Sequence, residues 1–366
     1  MRVTFLLSCL LLLVTFDIWA IQVRLTDAAI VLELEINEKV SGLKPEQVPI
    51  LIERAGGDDI QAQCVLGVAY ERGSSVPRDE AQAIKWLTKV AVRGVPWVQN
   101  LLGSVYQRGG NVPRDEAEAF KWFRFAAEQR HSVAADNLGY MYLNGRGVTK
   151  DYTQAAYWYA IGAAEGYAPA QNNLGQLYEH GLGVQKDYSA ALSLYRQAVE
   201  KGLASAQNNL GAMYEAGLGV PKDYKAAVKW YRESAEQGEP IGQSNLAFMY
   251  AHGQGVQQDF GEAAHWYARA AESGYAPAQG RLAQLYETGH GVPLDYVMAY
   301  SWYARAASNG HEASKQGMAL LSARMTSRQL QAVRGRVNRI SREKNEPVSS
   351  GVIVEKKLPA QQWSQK

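Results

Sequence analysis

Asparagine stands at positions 137, 173, 209 and 245, each 36 residues after the last. An amide both donates and accepts, so a row of them at fixed spacing could hold the backbone of an extended peptide. The same spacing equally suits a bond to the loop of the next structural unit. Three residues beyond this position lies a second one, occupied by Val68, Ser104, Tyr140, Gln176, Ala212, Phe248 and Gln284. Flanking positions keep their residue type from copy to copy, whereas this one changes, as a position meeting a ligand would. Tyr140 and Phe248 are its candidate anchors, because buried aromatics dominate binding energies at protein interfaces. Asn137, Tyr140, Asn173, Gln176, Asn209, Asn245 and Phe248 are therefore the expected partner-binding residues. Glu71, Glu179, Glu215 and Glu287 follow a turn later, where they would favour a basic partner or form a solvated helix end.

What must position these residues is a strict internal repeat. Leu-Gly at 66–67 recurs at 102, 138, 174 and 210, then as Leu-Ala at 246 and 282. Tyr follows at 70, 106, 142, 178, 214, 250 and 286, and Asp at 79, 115, 151, 187, 223, 259 and 295. Seven units of 36 residues thus cover 62–313 without insertion or deletion. A period of this length belongs to a solenoid, whose units bury their apolar faces only against neighbours.

Each unit reads as a helical hairpin. Ala170, Leu174, Leu177 and Tyr178 form an apolar stripe at helical spacing. The Gly181-Leu182-Gly183 loop ends that helix, and Asp187 is expected to cap the next one. Asp79/Gln82, Asp115/Glu118, Asp151/Gln154 and Asp259/Glu262 carry capping-box spacing, so these carboxylates are expected to be structural rather than catalytic. In the second helix Trp recurs at 86, 122, 158, 230, 266 and 302, with Leu194 in the remaining unit. Small residues one turn on let helices approach, so the Trp row is expected to be core. Gly closes the units at 94, 166, 202, 238, 274 and 310; Arg130 replaces it once and suggests an altered turn there.

The run Ala-Gln-Asn-Asn-Leu-Gly from 170, the Gly-x-Gly-Val loop, Lys-Asp-Tyr, and the later Trp-Tyr and Ala-Glu-x-Gly elements resemble Sel1-like repeats, relatives of the tetratricopeptide repeat. The likeness spans about two thirds of the chain through seven units. It departs in the first two, where Gly73-Ser74-Ser75 and Gly109-Gly110-Asn111 lack the second loop glycine, so those loops are expected to differ. The resemblance implies an all-α, right-handed α-solenoid whose first helices line a concave face for protein or peptide partners. It also implies roles in envelope assembly, regulation of a membrane complex or host contact. Cysteine-rich relatives are described as penicillin-binding or β-lactamase-like, which leaves an envelope hydrolase or penicillin-recognising protein as the alternative.

Degenerate capping units are expected at both ends, as a solenoid requires. Residues 21–61 form the first, with Ile30 in the Leu position and Ile50 in the Trp position. Residues 314–344 form the second, where Thr326 and Gln329 make a capping box before Leu330. That stretch is basic, so it is either the solvated face of a capping helix or a patch for an anionic membrane surface. Residues 345–366 read as a disordered tail containing Trp363. At the other end, Met1-Arg2, the apolar residues 5–16 and Ala20 read as a signal peptide, 1–20, of an exported protein, periplasmic or secreted. An uncleaved anchor facing the periplasm is the rival. The apolar run falls short of the roughly 20 residues of a spanning helix.

Composition and motifs exclude several chemistries. The chain of 366 residues is 47% hydrophobic and 20% charged, as a folded soluble protein is. Its 38 Lys and Arg nearly balance 36 Asp and Glu, so no global field points to nucleic acid. Cys9 and Cys64 are too few for a disulfide framework or a cysteine zinc site, and Cys64 reads as a packing residue. No zinc-protease, phosphate-loop or nucleophile-elbow motif occurs. The histidines are scattered, with His180 and His252 sharing one position and His290 in a loop, so no metal and no cofactor are expected. Ser-x-x-Lys occurs at 41–44 and 341–344, without the companion motifs of a penicillin-recognising enzyme. An enzyme is not expected.

Overall fold

The computed structural model describes residues 32–333. The expected signal peptide, Ile30, the residues after Val333 with their run of arginines, the Ser341–Lys344 motif and the tail with Trp363 lie outside them. Every described element is helical. The described chain divides into two compact units, one ending at Ala206 and one starting at Gln207.

In the first unit, α1 (32–41), a 3-10 turn (Pro45–Gln47) and α2 (Val48–Gly56) precede the hairpins. The hairpins are α3 (Ile60–Arg72) with α4 (Glu80–Ala91), α5 (Pro96–Arg108) with α6 (Glu116–Glu128), α7 (Ser132–Asn144) with α8 (Tyr152–Ala164), and α9 (Ala168–His180) with α10 (Tyr188–Glu200). Helix α11 (Ala204–Ala216) runs into the second unit. There it is followed by α12 (Tyr224–Glu236), α13 (Pro240–His252), α14 (Phe260–Glu272), α15 (Ala276–Thr288), α16 (Tyr296–Ser308), α17 (Glu312–Ser322) and α18, which begins at 327. From α2 to α10 and again from α12 to α17 consecutive helices pack on one another, and first helices of successive repeats also touch, α5 on α7 and α7 on α9. The protein is an all-α solenoid of helical hairpins.

Short-range chemistry explains each hairpin. All seven Asp residues cap as expected; Asp187 Oδ1 accepts from Ser189 N at 2.9 Å and Ala190 N at 3.0 Å. The backbone N–H of each Asp is taken by the carbonyl of the repeat's Tyr, from Asp79 to Tyr70 at 3.0 Å through Asp295 to Tyr286 at 2.9 Å. This bond closes the loop and explains the constant Tyr-to-Asp spacing. It also takes the donor that the acid or amide of a capping box would otherwise satisfy. The C-terminal capping box does form: Thr326 N donates to Gln329 Oε1 at 2.8 Å, and Gln329 N to Thr326 Oγ1 at 3.3 Å.

Packing explains the Leu-Gly signature. A Cβ at Gly175 would stand 2.7 Å from the Tyr195 ring, and one at Gly139 2.7 Å from Tyr159, so the residue after the Trp position, which Leu194 fills before Tyr195, presses on bare backbone. The Trp row is core in the first unit, where Trp86, Trp122 and Trp158 are buried. In the second unit Trp230, Trp266 and Trp302 are only half-buried, though Trp266 and Trp302 still pack against the core. Lys229, Arg269 and Arg305 lie over their rings at 4.8, 5.1 and 5.5 Å, covering aromatic surface with a cation and its apolar stem.

Three local expectations are corrected. Arg130 does not alter its turn; it adopts φ 64°, and Arg130 N still donates to Ala127 O at 2.8 Å, as Gly166 N does to Ala163 O at 2.9 Å. Of the two atypical loops, the first keeps its form because Ser75 takes φ 62°, whereas the second differs, with Gly110 at φ 147° and Asn111 bonded back to Asp79 and Glu80. Ile50 is 60% exposed rather than core. In the later repeats of the first unit the Trp of this position is buried, and Trp122 shares one core with Val90 and Ala91 of the preceding repeat.

Candidate functional site

The first helices bring the expected site residues onto one face of each unit. In the first unit Asn137 and Tyr140 on α7, and Asn173 and Gln176 on α9, are each one turn apart and partly exposed. Asn137 and Asn173 each bond to the first helix of the preceding repeat rather than to a loop. Asn137 Nδ2 donates to Asn100 Oδ1 of α5 at 3.0 Å, and Asn173 Nδ2 to Asp136 Oδ1 of α7 at 2.8 Å. Each amide therefore ties its repeat to the first helix of the repeat before it, and this bond fixes the amide plane. The Arg146 guanidinium lies 5.6 Å from the Tyr140 ring centre, and Arg146 Nη1 donates to the Tyr140 hydroxyl at 3.4 Å. Arg146 also reaches Glu116 at 3.3 Å.

In the second unit Asn209 lies on α11, and Asn245 and Phe248 on α13. Asn245 Nδ2 donates to Asn208 Oδ1 at 2.8 Å, the same tie as in the first unit. Phe248 is half-buried, with the His252 ring centred 4.0 Å away at an interplanar angle of 31°. His252 Nδ1 lies 2.9 Å from the Phe248 carbonyl oxygen. Each unit thus presents one aromatic ring with a nitrogenous side chain against it, beside amides held in place from behind.

The row of glutamates has a different role from the one expected. Glu179 Oε2 accepts from the Tyr195 hydroxyl at 2.6 Å, Glu215 from Tyr231 at 2.5 Å and Glu287 from Tyr303 at 2.9 Å. Glu71, whose repeat carries Leu87 instead of Tyr, pairs with Arg108 at 2.7 Å. These carboxylates satisfy buried or facing donors of the fold itself. Burial and Glu179 together hold the Tyr195 hydroxyl well above the ordinary tyrosine range. In the C-terminal cap, Lys315 pairs with Glu312 at 2.7 Å and Arg324 with Glu287 at 2.7 Å, so two of its cations are engaged.

A second amide row escapes a reading by hydrophobic pattern. Gln63, Gln99, Gln171, Gln243 and Gln279 are buried, and each Nε2 donates to the carbonyl eight residues earlier, at the end of the preceding second helix, from 2.9 to 3.3 Å. Gln129 and Gln237 donate back to Gln99 and Gln207 at 2.8 and 2.7 Å, and Asn309 to Gln279 at 3.1 Å. Its signal was available: Gln at 36-residue spacing, in line with the apolar stripe.

The remaining chemistry is structural. Ser41 Oγ donates to the Asn37 carbonyl at 2.9 Å. Cys64 is fully buried, and burial pushes its thiol up to about 12. Among the described residues no three His, Cys, Asp or Glu side chains cluster as a metal site would require, and no helix is long and apolar enough to cross a membrane.

The sequence profile of the Sel1 repeat matches residues 60–91, 98–131, 132–167, 168–203, 204–239, 240–275 and 276–311. The chain belongs to the Sel1 repeat family. A solved Sel1 repeat protein from Oxalobacter formigenes is 31% identical, with a TM-score of 0.65 over 80% of this chain and 87% of that one. The protective antigen c5321 of uropathogenic Escherichia coli, which displays the SLR fold, is 27% identical over 84% of this chain and 91% of its own, with a TM-score of 0.47. The immunity protein Pa5087 from Pseudomonas aeruginosa is 20% identical over 56% of this chain and 81% of its own, with a TM-score of 0.40. No curated protein matches the chain. Sel1 repeat proteins are generally protein-interaction scaffolds, typically without enzymatic activity.

Proposed function

We propose that this Sel1 repeat protein is an exported, non-enzymatic scaffold. It binds protein or peptide partners on the face formed by its first helices, the face a solenoid turns inward. The observation that carries this is the pairing of a half-buried ring with preorganised amides in each unit: Tyr140 beside Asn137 and Asn173, and Phe248 beside Asn245. Side chains already held in one geometry lose little entropy when a peptide binds. Export rests on the N-terminal apolar run and Ala20. A cell-envelope setting, in assembly, regulation or host contact, follows from export in a bacterium. The commitment of the Ser41 hydroxyl to the Asn37 carbonyl speaks against a penicillin-recognising enzyme at that motif.

A crosslinked pull-down from the native envelope fraction tests it. Wild type is compared with a Tyr140→Ala, Phe248→Ala double variant that retains a helical, cooperative melt. Capture of a protein by wild type alone is the expected result. Equal capture by both would remove the site from this face. Covalent attachment of a labelled β-lactam, lost on replacing a single serine, would overturn the non-enzymatic assignment.

A further inference from the structure

In the second unit an open groove of about 570 Å³ lies between two consecutive repeats. Tyr250, Val256, Asp259 and Trp266 line it and belong to the constant frame of the repeat, their positions filled by Tyr, Val, Asp and, Leu194 apart, Trp throughout. Arg232, Gln257, Gln258 and Glu262 complete its walls at positions that vary. Nowhere else does an Arg in one repeat meet a Glu at these positions in the next: Arg124 is followed by Gln154, Arg196 by Ala226, and Glu118 is preceded by Thr88. The groove's frame is therefore generic and its chemistry is particular to one place.

That chemistry offers both donors and acceptors. Arg232 Nη2 donates to the Tyr250 hydroxyl at 2.9 Å, which holds the guanidinium at the wall and leaves its other donors. Asp259 Oδ1 is committed to capping α14, accepting from Gly261 N at 2.8 Å and Glu262 N at 3.0 Å, which leaves Oδ2. The Glu262 carboxylate makes no hydrogen bond or ion pair among the described residues and is exposed. The Trp266 indole is half-buried, has the Arg269 guanidinium 5.1 Å from its ring centre, and lines the groove beside Tyr250 and Val256.

Elimination narrows the occupant. A polyanion would meet two carboxylates, and a cation would meet Arg232. An apolar ligand would strip water from charged groups without replacing its hydrogen bonds. A neutral polyhydroxyl compound satisfies both signs, since vicinal hydroxyls donate to a carboxylate and accept from a guanidinium. The apolar C–H face of a sugar ring suits an indole wall. We propose that this groove binds a neutral oligosaccharide, with Arg232 and Glu262 hydrogen-bonding its hydroxyls and Trp266 forming the apolar wall. This site is separate from the first-helix face and adds a glycan ligand to the scaffold.

The full chain is titrated calorimetrically with maltotriose, cellotriose and the N-acetylglucosamine trimer. At least one is expected to bind with a dissociation constant of about 1 mM or tighter. Glu262→Ala and Arg232→Ala are each expected to weaken that binding about tenfold or more, as loss of a hydrogen bond to a charged group does. Trp266→Leu should do the same while keeping the fold, because Leu194 already fills this position in another repeat. No binding of any of the three at about 10 mM, or equal binding by wild type and all three variants, would overturn the proposal. Trilysine binding that is lost in Glu262→Ala and kept in Arg232→Ala would also overturn it, in favour of a basic peptide.

Discussion

The hydroxyl of Tyr195 donates to Glu179 Oε2 across 2.6 Å, from the second helix of a repeat to the last turn of its first. Tyr231 and Tyr303 repeat the bond with Glu215 and Glu287. Tyr159 has the same buried position, but Leu143 stands where the glutamate would, and its hydroxyl has no partner. The ring fills the core in every case; only the oxygen differs. Tyr195→Phe is expected to lower stability by about 1 kcal/mol, and Tyr159→Phe to leave it unchanged or raise it by up to about 1 kcal/mol. Urea midpoints of the two variants measure the difference.

His131 caps α7, its Nδ1 accepting from Ala134 N at 3.2 Å. Burial pushes its imidazole down to about 4. The native state therefore binds fewer protons than the unfolded chain, whose histidine titrates near 6.5. Its stabilisation is complete above that value and is lost as pH falls from about 6.5 toward 4, by up to about 3 kcal/mol. His131→Asn keeps a cap that does not titrate. Urea midpoints between neutral and acidic pH should show a steeper decline for wild type than for this variant. Parallel declines would rule out the histidine as the cause.

Two backbone sites are expected to respond in opposite directions. Gly183 has φ 68°, and a Cβ there would fall inside the Tyr152 carbonyl, which as backbone cannot rotate away. Gly183→Ala is expected to cost more than about 2 kcal/mol. Arg130 occupies a left-handed conformation that glycine holds in six other repeats. Its ion pair with Glu165 at 2.5 Å is at the surface and adds little. Arg130→Gly is expected to gain up to about 1 kcal/mol, read from thermal or urea unfolding.

The buried glutamine row is complete only where an amide follows. Gln243 Oε1 is buried without a partner, and Ser273 stands where Gln129 and Gln237 serve the neighbouring rows. Gln129 Nε2 reaches both Gln99 Oε1 and its own helix at the Phe125 carbonyl, at 2.8 and 3.1 Å. Ser273→Gln should reproduce that arrangement and raise stability by about 1 kcal/mol. No change in the urea midpoint would show that the Gln243 oxygen already has its hydrogen bond satisfied by solvent.

The hairpins, the loop glycines and the seven caps are legible in the chain alone because their causes are local. Asp187 and the amides it caps lie two and three residues apart, and the 36-residue period states where each element recurs. Apolar spacing likewise identifies Leu174 and Tyr195 as core, as they are. The expected anchors Tyr140 and Phe248 are legible only as variable positions in a constant frame. Their neighbours Arg146 and His252 come from helical and loop geometry.

Tertiary structure alone decides what the polar residues do. Glu179 meets Tyr195 16 residues on, Gln99 meets Gln129 30 on, and Asn137 meets Asn100 37 back, all across a hairpin or between repeats. Hydrophobic periodicity sorts residues by whether water is favourable around them, and it assigns a polar side chain to solvent by default. It cannot distinguish a carboxylate facing water from one facing a hydroxyl on the next helix. It also cannot foresee that one Trp row is buried in the first unit and half-exposed in the second. That outcome depends on which side chains cover the ring, since cations lie over the buried Trp86 and Trp122 as they do over the half-buried Trp266.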